Sequence, residues 1–163
     1  MGLVRRNRWI IIISIVVLSV CIGYIQFQRI VQDSQIKAWS SNWGFESPPP
    51  EKVTTVFHNG DRDPDYYLIS DYDEVAIEKL IQQNDWRKIE NSGGIVSDHI
   101  NGYKKQIQNL HQEYERYEKL FLDNPVKFNH DSLYFTEKKA DGSYIIAVLN
   151  IDERRLYTME VFY

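Results

Sequence analysis

"SLYFTEKKADGSYIIAVLNIDERRLYTMEVFY", Ser132 to Tyr163, is the stretch that decides the fold class. "SLYFTEKK" and "YIIAVLN" flank a short connection with Asp141-Gly142 at its tip. That dipeptide favours a tight hairpin turn, because it tolerates the positive φ angles such turns require. "IDER" makes a second turn into "RLYTMEVFY". Tyr144 to Ile151 is apolar at both alternating sets of positions, the mark of a strand covered on both faces at the centre of a sheet. The three runs predict an antiparallel meander, and the ending on Phe162 and Tyr163 predicts a docked C-terminus.

Working upstream, the period lengthens from two to that of a helix. Ile100, Tyr103, Ile107, Leu110, Tyr114, Tyr117 and Phe121 recur at alternating spacings of three and four, a heptad seam that Asp123-Asn124-Pro125 stops. Two readings compete: a coiled-coil homodimer through this seam, or one long helix laid across a sheet. The helix on a sheet is preferred, because tyrosine at three of the seven seam positions suits a sheet surface better than a tight zipper. A shorter helix, "DEVAIEKLIQQ", carries Val75, Ile77, Leu80 and Ile81 on one stripe behind Asp71 or Asp73 as N-cap. Trp86 follows it and folds onto the core. Before that helix, Val53–His58 and Tyr66–Ser70 are β-branched and aromatic and read as a hairpin with a wide loop. The predicted class is α+β: an N-terminal transmembrane helix, then an antiparallel sheet packed against one long and one shorter helix.

The transmembrane segment is "WIIIISIVVLSVCIGYIQFQ", Trp9 to Gln28, which runs without a charge. Twenty helical residues cover about 30 Å, the thickness of a bilayer's hydrocarbon core. Arg5, Arg6 and Arg8 precede it and only Arg29 follows closely. The positive-inside rule therefore places residues 1–8 in the cytoplasm and the rest outside, in the cell membrane by a single pass. "LSVC" ends at Cys21, the only cysteine, and invites comparison with a lipobox. Val20 stands where a small residue is usual and "IGYI" continues the apolar run, so an uncleaved span is preferred over a lipid anchor. Residues 29–51 read as a polar stalk and proline-rich linker ending in Pro48-Pro49-Pro50, and 52–163 as the extracytoplasmic domain.

Charge narrows the partners. Of 163 residues, 19 are basic and 23 acidic; setting the three leading arginines aside leaves 16 basic, a net of −7 for the remainder. Such a surface carries no electrostatic footprint for nucleic acid.

"HNGDRDPDYYL", His58 to Leu68, holds the candidate site residues. Asp61, Asp63 and Asp65 offer oxygens to a cation, but no register places a glycine sixth and a glutamate twelfth as a calcium loop requires. The preferred reading is a turn, with no metal and no cofactor. His99 and His111 lie twelve residues apart, about 120° around a helix, and His130-Asp131 sits at a strand entry. No nucleophile elbow, phosphate loop or H-E-x-x-H pair occurs, so no catalytic constellation is expected.

"FHNGDRDPDYYLISDYDEVAIEKLIQQNDWRKI", Phe57 to Ile89, resembles the core of small Gram-positive envelope proteins tethered by one span or a lipid. In those, an H-x-G-D element leads into a strand, a helix and a Trp-containing turn; His58, Gly60, Asp61 and Trp86 match. The longer "RDPD" insert and the poor lipobox depart from that pattern. The resemblance implies a Gram-positive envelope setting and no particular chemistry. The expected function is a non-enzymatic, protein-binding envelope module. The alternatives are a ligand-binding or hydrolytic domain using the His58–Asp65 loop, or a toxin-immunity protein.

Overall fold

A computed structural model describes residues 14–20, 22–23, 34, 36–60, 65–82, 85–89, 93–111 and 114–163. The strands are β1 (Lys52–His58), β2 (Tyr66–Asp71), β3 (Arg87–Lys88), β4 (Leu133–Lys138), β5 (Tyr144–Asn150) and β6 (Arg155–Val161). The helices of the folded unit are α1 (36–43), α2 (Glu74–Ile81), α3 (Gly93–His111) and α4 (Tyr114–Asp123). All strands join one antiparallel sheet in the order β1-β2-β6-β5-β4-β3. The α+β class therefore stands. The meander β4-β5-β6 forms as its turn residues dictate, with Gly142 at φ 100° and Arg154 at φ 51°. The β1-β2 hairpin then adds to the free edge of β6, which places β5 and β6 inside the sheet.

Both faces of the sheet are covered. On one, Leu68, Leu133, Phe135, Ile145, Ala147, Leu149 and Leu156 pack against Ile36, Trp39 and Trp43 of α1, Phe45, and Ala76, Ile77 and Leu80 of α2. On the other, Tyr67, Tyr134, Ile146, Val148, Tyr157, Met159 and Val161 pack against Val96, Ile100, Tyr103 and Ile107 of α3 and Phe121 of α4. Alternate residues of each strand supply the two cores, which is why β5 and β6 are buried at every position after the first.

Four expectations are revised or left unsupported. The long helix is two helices: the Tyr103 and Phe121 rings lie 6.0 Å apart, and Lys104 reaches to 5.9 Å of the Phe121 ring. In one straight helix those positions would be separated by about 27 Å along the axis. α4 is therefore folded back along α3, and the buried seam residues Ile100, Tyr103, Ile107 and Phe121 face the sheet. A spacing of three and four sets which side of each helix is apolar, and says nothing about whether the axis turns between them.

Next, the first core reaches upstream of Lys52. Trp39, Trp43 and Phe45, read from sequence as stalk, are buried in the first core. Finally, among the described residues no helix is long and apolar enough to cross a membrane, which leaves the expected N-terminal transmembrane helix unsupported. Within Trp9 to Gln28, residues 14–20 and 22–23 are helical and exposed, and the rest lie outside the described residues. In α2, Asp73 is the N-cap and accepts the Ala76 N–H at 2.7 Å. Val75 and Ile81, expected on its core stripe, are 60% and 40% exposed; Ala76 takes the buried place instead.

Candidate functional site

The loop between β1 and β2 carries the sequence-predicted residues, and its described ends are given over to structure. His58 is exposed, its ring 4.8 Å from that of Tyr66, its cross-strand partner. Asp65 is 3% exposed; one carboxyl oxygen accepts the Phe162 backbone N–H at 3.1 Å and the other the Asn59 amide at 3.4 Å. Asp65 thus anchors the C-terminal residues against the start of β2. Asp61 and Asp63 lie outside the described residues. His130 and Asp131 form an exposed pair at 3.0 Å. Among the described residues, no group of three histidine, cysteine or acidic side chains is placed to hold a metal ion.

A carboxyl group that sequence reasoning missed lies deeper. Glu160 on β6 is 2% exposed and points to the face that α1 covers. Its two oxygens accept the indole N–H groups of Trp39 at 2.7 Å and Trp43 at 2.6 Å. Trp39 and Trp43 are four residues apart and so share one side of α1. The readable signal was an acid in phase with Leu156 and Thr158 on an otherwise apolar strand. Lys139 adds its ammonium 4.5 Å above the Trp43 ring.

Buried tyrosines contribute to both cores. The Tyr103 hydroxyl donates to the Tyr66 carbonyl at 2.8 Å, and Tyr67 donates to the Asn124 carbonyl at 2.9 Å. Burial raises the pKa of Tyr103 well above the phenol range, with the charge of Asp65 adding to it, and raises that of Tyr67. Tyr72, buried and paired with Ser47 at 2.6 Å, is pushed up to about 12. These hydroxyls stay protonated at neutral pH, and those of Tyr103 and Tyr67 donate to backbone carbonyls.

The concave surface lies at the other end of the sheet, around Trp86. The Trp86 indole donates to the Leu80 carbonyl, which fixes the ring beyond the end of α2. Phe45 packs edge-on to it at 5.5 Å and contacts Phe135 at 5.2 Å. The resulting cleft of about 580 Å³ is floored by Phe45, Trp86 and Phe135 and rimmed by Glu46, Lys79 and Asp85. It continues into a cleft of about 460 Å³ beside Trp43, Arg87 and Glu137. Aromatic groups thus sit among charges of both signs. On the opposite face, a cavity of about 450 Å³ is lined by His99, Tyr103, Gln106, Lys138 and Tyr144. The Tyr144 hydroxyl donates to the Gln106 carbonyl oxygen at 3.0 Å, while the buried Gln106 amide nitrogen has no partner among the described residues.

Comparison with known proteins yields no match to a family model, a curated protein or a solved structure.

Proposed function

We propose that this chain is a single-pass membrane protein that displays its α+β domain outside the cytoplasmic membrane of a Gram-positive cell. There it binds another envelope protein and catalyses no reaction. One observation carries the anchoring: Ile15, Val16, Val17, Leu18, Val20 and Ile22 are 51% to 66% exposed on a helical stretch. Successive positions turn about 100°, so this helix is apolar all round, and such a surface calls for lipid. The three arginines before it support a cytoplasmic N-terminus. The cleft at Trp86 supports a protein partner. The His58–Asp65 loop gives little support to hydrolysis or ligand capture, because Asp65 is engaged with the C-terminal backbone.

Three experiments test the reading. Protease added to intact protoplasts removes the domain if the orientation is right, and a protected domain overturns it. Cys21→Ala leaves the chain membrane-bound with unchanged mobility; release into the soluble fraction establishes a lipid anchor instead. For the partner, a photo-reactive side chain at position 86 crosslinks to one envelope protein in cells, whereas the same group at Leu122 on α4 does not. Equal yields at both positions, or none at either, remove the protein-binding reading.

A further inference from the structure

Among the described residues, the outer edge of β4 is only half occupied. β3 pairs with Leu133 and Tyr134 alone. The Ile89 N–H donates to the Ser132 carbonyl at 3.0 Å, so even-numbered residues of β4 turn their backbone groups outward. The Lys139 N–H donates inward to the Ser143 carbonyl at 2.8 Å, which sets the odd-numbered residues toward β5. The N–H and C=O of Thr136 and Lys138 therefore face away from β5, and among the described residues no strand pairs with them. Phe135 to Lys138 spans about 13 Å, room for four residues of an added strand.

The same four residues sit between two hollows. The cleft beside Trp43 and Trp86 and the cavity beside Gln106 and Tyr144 lie on opposite faces of the sheet, and Thr136 and Glu137 line both. A strand laid against this edge sends alternate side chains to opposite faces, one set to each hollow. The first hollow is aromatic. The second holds the amide nitrogen of Gln106, a buried donor that lacks an acceptor among the described residues, with Lys138 at the cavity wall. Such a donor costs free energy until an oxygen reaches it.

Resting on the protein-binding reading above, we infer that the partner binds by strand addition: an extended segment pairs with the backbone of Thr136 and Lys138. It places an aromatic or large apolar side chain beside Trp86 and a side chain with a carbonyl or carboxylate oxygen against Gln106. The backbone contributes affinity without sequence preference, and the two hollows set which segments are accepted.

The full chain in lipid nanodiscs is titrated into a fluorescein-labelled peptide in which phenylalanine and glutamine alternate over six residues between flanking lysines. Saturable anisotropy is expected, and N-methylating alternate peptide amides weakens binding about tenfold through the lost ladder bonds. Thr136→Pro removes an outward N–H and leaves the β4–β5 ladder intact, so it weakens binding similarly while the domain still melts cooperatively. Gln106→Met weakens the Phe/Gln peptide severalfold and leaves a Phe/Ala peptide unchanged. No saturable binding, or binding indifferent to N-methylation, overturns the inference. Should Thr136→Pro fail to fold, the N-methyl comparison on the native chain decides alone. Crosslinking from position 86 that persists in folded Thr136→Pro keeps the protein-binding reading and defeats strand addition; absence of crosslinking in the native chain defeats the reading itself.

Discussion

The indole nitrogen of Trp39 lies 2.7 Å from a carboxyl oxygen of Glu160, across 121 positions of sequence and out of contact with solvent. With Trp43 on the second oxygen, the segment entering the domain is fastened to its last strand. Glu160→Gln turns an amide N–H toward one indole N–H, two donors in place of a donor and an acceptor. It is expected to cost about 2 kcal/mol in denaturant unfolding. Combined with Trp39→Phe, the penalties are expected to fall short of additivity, because one contact is lost in both. Full additivity would show the contact carries no energy.

The domain boundary makes a second prediction. A chain begun at Ser34 should melt cooperatively, whereas one begun at Lys52 should not. The shorter chain lacks Ile36, Trp39, Trp43 and Phe45, all buried in the first core. Large apolar side chains contribute about 1.5–3 kcal/mol each on burial, and a whole domain is stable by only about 5–15 kcal/mol. A cooperative transition in Lys52–Tyr163 would refute this.

The fold-back of α4 is tested by adjacent residues. Phe121 is 3% exposed and contacts Tyr67 and Tyr103, while Leu122 beside it is 72% exposed. Phe121→Ala is expected to lower stability by about 3–4 kcal/mol and Leu122→Ala by at most about 0.5 kcal/mol. Similar effects at both would mean that α4 does not rest on the second core.

Alkaline pH should unfold the domain through its tyrosines. In the unfolded chain these ionise near pH 10, whereas burial raises Tyr67, Tyr72, Tyr103 and Tyr144 above that. A raised folded-state pKa contributes stability that is fully present below the unfolded value and lost as pH rises through the folded one. Tyr72, at about 12, accounts for about 2 kcal/mol of loss by pH 12. Melting temperatures recorded from pH 8 to 12 should hold level to about pH 9.5 and then fall. A flat profile through pH 11.5 would exclude it.

Asp65 gives the last prediction. Asp65→Ala leaves the Phe162 N–H without its acceptor and should destabilise the domain by about 1–3 kcal/mol, with faster amide exchange at Phe162 and Tyr163. Millimolar calcium, zinc or chelator should leave the native melting temperature where it is. A calcium-dependent rise abolished by Asp61→Ala/Asp63→Ala would establish a cation site in the β1–β2 loop.

Local order was legible in the sequence. The β4–β5–β6 strands, the β1–β2 hairpin, an aspartate cap before α2 and the buried seam positions Ile100, Tyr103, Ile107 and Phe121 follow from period, turn residues and caps, which act within a few positions along the chain. Burial of β5 on both faces was readable because its residues are apolar at both alternating sets. What the tertiary structure decided was every pairing between distant positions. The β1–β2 hairpin chooses the edge of β6, and α4 doubles back on α3. Trp39 and Trp43 leave the stalk they resemble and close on Glu160, and Asp65 turns from a candidate ligand into the acceptor for the C-terminal backbone. A side-chain type states only what it can bury or bond. Which partner it meets is set by packing two faces of one sheet at once, a condition that no window of sequence contains.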